Sequence, residues 1–183
     1  MSCTNIPDIL DGKPSGTACK RVAEQFPDCS CEKESVCPNL SPGIVQGHEI
    51  LARFVSAKDI DTDTNEVKSS LFEKVNQNGM SVTRVRLDGE GASVQIKQNG
   101  NFCGFVTACC RDIRAKLYEG KRLFSVYDTA LETNVNHADV CGTVGATGAT
   151  AIKMRRELQE AFTRVMSAFE LTDPAADSQP TPG

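Results

Sequence analysis

Ser93–Ala108, SVQIKQNGNFCGFVTA, decides the fold class. Two strand-like runs, Ser93 to Gln98 and Asn101 to Ala108, flank Asn99-Gly100. Both central residues of a tight hairpin turn need positive φ, and Asn-Gly meets that need. A hairpin excludes a chain built only of βαβ units. Working outward, the pattern is helix, strand, helix, strand, hairpin, helix, strand, strand, helix. That order predicts an α+β fold: a compact mixed sheet with a hairpin, a long C-terminal helix and a Cys-rich N-terminal arm.

Upstream, HEILARFV (His48 to Val55) reads as the first strand. Glu66 to Asn76 reads as a helix, with Val67, Leu71, Phe72 and Val75 at helical spacing and Asn78-Gly79 as its stop. Met80 to Leu87 reads as a strand that sets Met80, Val82, Arg84 and Arg86 on one face. Downstream, Cys109 to Tyr118 turns helical, with Ile113 and Leu117 inward and Glu119-Gly120 closing it. Leu123 to Tyr127 and Ala138 to Cys141 are apolar strands around a polar loop. Gly142, Gly145 and Gly148 read as a flexible connection. Thr150 to Leu171 is the clearest helix, with an apolar stripe of Leu158, Phe162, Val165, Met166 and Phe169. Thr17 to Phe26 is a short helix that Pro27 ends. The expected organisation is a Cys-rich arm over 1–46, partly disordered, an α+β domain over 47–171 and a disordered tail over 172–183.

A net charge of −4 argues against a general nucleic-acid binder, whose phosphate contacts need a basic surface. No apolar run is long enough to cross a bilayer, and the first residues lack an apolar signal core, so a cytoplasmic location is expected. Nine cysteines are many for 183 residues. In a reducing compartment they are expected as thiols or metal ligands. Cys19, Cys29, Cys31 and Cys37, spaced C-x9-C-x-C-x5-C, offer four thiolates to a structural zinc in a turn-rich segment, with His48 as an alternative to Cys19. Iron–sulfur ligation ranks below zinc. The plain alternative is four unrelated thiols.

The polar loop concentrates Asp128, Thr129, Glu132, Thr133, Asn134, Asn136, His137 and Asp139. His137 is the candidate general acid or base, with Asp128 or Asp139 to orient it. Arg53 and Arg84 are candidate anion binders, which points to a phosphate-bearing substrate, a nucleotide or RNA. The competing reading is structural: Asp128, Thr129 and the asparagines satisfy a long turn that His137 caps. Cys103, Cys109 and Cys110 near a helix start allow a thiol nucleophile, although free cysteine is more often a small buried hydrophobe.

Glu49, Arg53, Phe72, Gly79, Ser81, Val82, Arg84, Asn134, His137 and Ala138 form three segments, Glu-x-x-x-Arg, Gly-x-Ser-Val-x-Arg and Asn-x-x-His-Ala. In these the chain resembles a set of small uncharacterised bacterial proteins over residues 48–142. The resemblance implies a bacterial single-domain unit, with the cysteine-rich arm as an addition, and carries no activity. Two functions follow as expectations. One is a small cytosolic binding or accessory protein with a zinc-stabilised arm and a protein partner. The other is a metal-independent enzyme using His137.

Overall fold

The computed structural model describes residues 3–11, 18–34, 36–37, 39–85, 102–144 and 148–166. The strands are β1 (Ile50–Ser56), β2 (Met80–Val85), β3 (Phe102–Cys109), β4 (Leu117–Tyr118), β5 (Lys121–Arg122), β6 (Phe124–Asp128), β7 (His137–Gly142) and β8 (Arg164–Met166). The helices are α1 (Ile6–Asp11), α2 (Ala18–Gln25), α3 (Cys110–Arg114) and α4 (Ala149–Ala161). Six strands form one sheet in the order β6-β7-β2-β1-β3-β8, and every ladder is antiparallel. The fold is α+β, as the order of elements predicts. Among the described residues no helix is long and apolar enough to cross a membrane.

β6 shows how the two faces of the sheet are used. All five of its residues are buried. Alternate side chains on a strand point to opposite faces, so Phe124 and Val126 enter one core while Tyr127 enters another. The first core gathers Leu51, Val55, Met80, Val82 and Val140 beneath α4 and a 3-10 helix over Ser69–Asn76. The second is built by the N-terminal arm: Ile6, Leu10, Val22, Phe26 and Cys31 pack around Tyr127 and Cys141. The arm is therefore ordered over its described residues, and it covers one end of the sheet.

Several expected boundaries shift for identifiable reasons. Ser93–Gln98 and Asn99-Gly100 lie outside the described residues, as do Arg86 and the tail after 166. Over Phe105–Thr107 both edges of β3 are taken, by β1 and by β8. The C-terminal helix stops at Ala161, because β8 continues as a strand along the outer edge of β3. Leu158 and Phe162 are buried as expected, and Phe162 meets Phe72 with ring centroids 5.6 Å apart. Val67 leaves the expected helix to bridge Ile60, so only the tighter Ser69–Asn76 turn follows. Glu119 and Gly120 both have positive φ, 51° and 74°, and close the β4–β5 hairpin rather than a helix. Leu117 then lies on that hairpin and is 57% exposed, not inward. Gly142 has a packing role: a Cβ there would meet Met154 Cε at 2.5 Å and the Val75 carbonyl at 3.1 Å.

Candidate functional site

The polar loop 129–136 is tied down from within. Leu131 and Asn134 exchange backbone hydrogen bonds of 3.0 Å in both directions. The Asn134 carbonyl also accepts the His137 N–H at 3.0 Å. Its side chain accepts the Asn136 N–H at 3.1 Å and donates to Thr83 Oγ1 at 3.2 Å. The Arg84 N–H reaches the Asn136 carbonyl at 2.8 Å. Asparagine suits this place because its short amide both donates and accepts within a turn. The structural reading of the loop thus accounts for its asparagines.

His137 and Asp139 lie two residues apart on β7 and share a face. His137 Nδ1 is 2.9 Å from both the Thr129 carbonyl and Thr129 Oγ1, and 3.8 Å from Asp139 Oδ2. Thr129 Oγ1 donates to Asp139 Oδ2 at 2.7 Å, and Ser81 Oγ approaches Asp139 Oδ1 at 3.3 Å. A carbonyl only accepts, and the Thr129 proton is committed to Asp139. Nδ1 therefore carries the hydrogen in the neutral ring, which leaves the lone pair on Nε2. Among the described residues Nε2 has no hydrogen-bond partner. The arrangement can take or give a proton at Nε2.

The remaining candidates divide between the two faces. Asp128 alternates with Val126 and Phe124, so it lies on the α4 side, opposite Asp139, and accepts a hydrogen bond from Ser41 Oγ. It is not grouped with His137. Arg84, 4% exposed, lies with Asp128. Its Nε and Nη2 hold Glu49 at 2.7 and 2.8 Å in a two-pronged pair. Nη1 donates to the Gly43 carbonyl at 2.6 Å and faces Asp128 at 3.5 Å, and Nη2 also reaches the Ile44 carbonyl at 3.2 Å. Four hydrogen bonds and the ion pair with Asp128 occupy the guanidinium, so Arg84 organises the 41–49 loop and is committed within the protein, which argues against its binding an anion. Arg53 donates from Nη1 to the Ser81 carbonyl at 2.8 Å, while its buried Nε lacks a hydrogen-bond partner among the described residues. Burial pushes its guanidinium below the ordinary range, against the pull of Asp59 and Asp139.

The structure does not bring the four cysteines of the expected zinc grouping together. Cys31 is bonded to Cys3 and Cys19 to Cys141, with Cα separations of 5.4 and 5.5 Å. The arm folds back on the sheet and brings each thiol to a distant partner, so Cys19, Cys29, Cys31 and Cys37 do not converge. His48 is exposed. Among the described residues no three His, Cys, Asp or Glu side chains are placed to hold a metal ion. Cys29 and Cys37 remain thiols, and Cys29 Sγ accepts from Ser125 Oγ at 2.8 Å. Cys3 and Cys141 carried no signal in the spacing, because the partner of each lies far away in sequence.

Glu32 also went unread. It is buried and accepts from Arg122 Nη2 at 2.6 Å, from Arg114 Nε at 3.3 Å and from the Val126 N–H. Charges within apolar strand-like runs were the available signal for Glu49 and Arg84, since a buried charge needs a partner, whereas Glu32 lies in the polar run DCSCEKES and offered none.

Cys110 opens α3 but is fully buried, and burial pushes its thiol up to about 11 from 9.0. It is held as the neutral acid, the reverse of an activated nucleophile. Below pH 9 both folded and unfolded thiols are protonated, and the shift costs nothing. Between pH 9 and 11 the unfolded thiol ionises while the folded one does not, so stability falls as pH rises. The stability difference between the natural protein and Cys110→Ala is expected to move against the natural protein by on the order of 2 kcal/mol across that window. Chemical denaturation at stepped pH measures it, and a difference that stays flat would refute the burial argument.

Comparison of the chain with protein-family models, with curated proteins and with solved structures finds no match in any of the three.

Proposed function

We propose that the protein is a binding or accessory module that docks a protein partner through the loop 129–137. The observation that supports this best is the exposure of Leu131 and Val135, each 43%, on a turn whose backbone is locked by Asn134. Apolar side chains held outward by a rigid frame bind without paying to order the loop. No zinc enters this reading, since cross-links hold the arm. The cytoplasmic expectation meets a counter-argument, because buried disulfides such as Cys19–Cys141 persist best where thiols are oxidised.

The test is a photo-crosslinking residue placed at Val135 in the producing cells. One protein should be captured, and Leu131→Asp should weaken its purified binding at least about tenfold, as expected for loss of a central apolar anchor. Unchanged affinity in Leu131→Asp would remove the loop from the interface.

A second reading is an enzyme acting on a phosphate-bearing substrate, with His137 as general acid or base, and the fixed Nδ1–H tautomer favours it. Arg53 stays as its anion-binding candidate, without Arg84. Under this reading His137→Ala abolishes turnover of a phosphodiester panel and lowers stability by no more than about 1 kcal/mol, the worth of its hydrogen bond.

A further inference from the structure

β6 is the terminal strand of the six-stranded sheet, and its free edge is stopped by side chains instead of a strand. The outward Val126 N–H donates to Glu32 Oε1, and the outward Val126 carbonyl accepts from Arg114 Nη2 at 3.4 Å. Glu32 follows Cys31 directly, and Cys31 is bonded to Cys3. The second cross-link, Cys19–Cys141, fixes α2 to β7 on the same side. Glu32 of the arm and Arg114 of α3 therefore occupy the place where another strand would add, and two disulfides hold the arm's share of that cover.

We propose that the arm is a disulfide-held plug, and that the β6 edge is the surface through which two copies of this chain pair once a dithiol has reduced the cross-links. The stereochemistry selects a second copy. A residue that turns both N–H and C=O outward makes a hydrogen-bonded antiparallel pair, in which two residues exchange both bonds. A two-fold axis beside Val126 matches that residue with itself in the second copy, Ser125 with Tyr127 and Phe124 with Asp128. Such self-complementary pairing is the commonest closed symmetry. FSVYD is also an uncharged strand up to its last residue, the kind of edge that proteins cover.

The redox step balances. Each dithiol molecule gives two electrons and two protons to one disulfide and closes to its own cyclic disulfide. Cys3, Cys31, Cys19 and Cys141 become thiols. The arm then depends on its apolar contacts and on the ion pairs of Glu32 with Arg114 and Arg122, without a covalent tie, and competes with the second copy for the Val126 edge.

The test is light-scattering mass of the full chain with and without dithiothreitol. The oxidised protein is expected to be a monomer, and the mass should double in dithiothreitol and return on reoxidation. Val126→Pro deletes the outward N–H, which an edge strand tolerates, and should remain monomeric under reduction. A reduced natural chain that stays monomeric, or a Val126→Pro chain that doubles equally, would overturn the proposal. If Val126→Pro does not fold, exchange of the Val126 amide decides in the natural protein. Under reduction its protection should fall on dilution, whereas protection independent of concentration would count against pairing at this edge.

Discussion

Replacing Cys19 and Cys141 together by alanine should lower the stability of the oxidised protein by about 2–5 kcal/mol. The cross-link spans 122 residues of sequence, so it restrains most of the unfolded chain. In the chain-entropy account a loop of that length gives close to the largest effect a single disulfide can have. Both sulfurs are buried in the second core, where alanine fills most of the space and adds no polar group. The arm would keep its contacts through Ile6, Val22 and Phe26, and the Cys19 N–H would still reach the Gln77 carbonyl, now at 2.8 Å. Loss of the link is therefore expected to lower the unfolding midpoint with the native fold retained. Urea unfolding without reductant measures it. A double variant as stable as the natural protein would show that the arm contributes little to the global unfolding step. In dithiothreitol the two proteins should converge, which separates the cross-link from any packing defect.

How much of this was legible beforehand depends on the range of the interaction. Local signals held up well. The alternation in Met80, Val82 and Arg84 did put three side chains on one face, and Leu158 and Phe162 did enter the core. Signals that depend on distant chain were misread. Cys19 and Cys31 looked like neighbours in a metal loop because spacing reports only proximity in sequence; their partners lie 122 and 28 residues away. The last helix was read too long because Val165 and Met166 continue its apolar stripe, yet the open edge of β3 draws them into a strand. Tertiary pairing overrides helical periodicity there. His137 stood out as a candidate because a histidine among hydrogen-bonding residues at a strand entrance is conspicuous. Asp139 belongs with it and Asp128 does not, and the two-residue period of β6 and β7 decides that once their register is known.

Arg84→Met tests the buried polar cluster that joins Arg84 to Glu49, Asp128 and the 41–49 loop. The change keeps an unbranched stem, shorter than arginine's, and removes every side-chain donor. It would leave the Glu49 carboxylate without its two-pronged cation and take the guanidinium away from the Gly43 and Ile44 carbonyls, which keep Ser41 Oγ at 3.2 Å and Gln46 Nε2 at 3.3 Å. Breaking a buried pair from one side costs about 3–5 kcal/mol, because the orphaned charge remains. Two loops are tied to the same strand position, 41–49 through the guanidinium and 129–137 through the Arg84 N–H, which the substitution preserves. The expected pattern is thus selective. Amide exchange should rise first in 41–49, while the Asn134 turn keeps its protection. Adding Glu49→Gln should recover part of the loss, since it removes the stranded charge, and that partial recovery marks a coupled pair. A loss under about 1 kcal/mol for Arg84→Met would place the pair with exposed salt bridges. Arg84 would then not be what holds the 41–49 loop, and its engaged donors would no longer argue against anion binding.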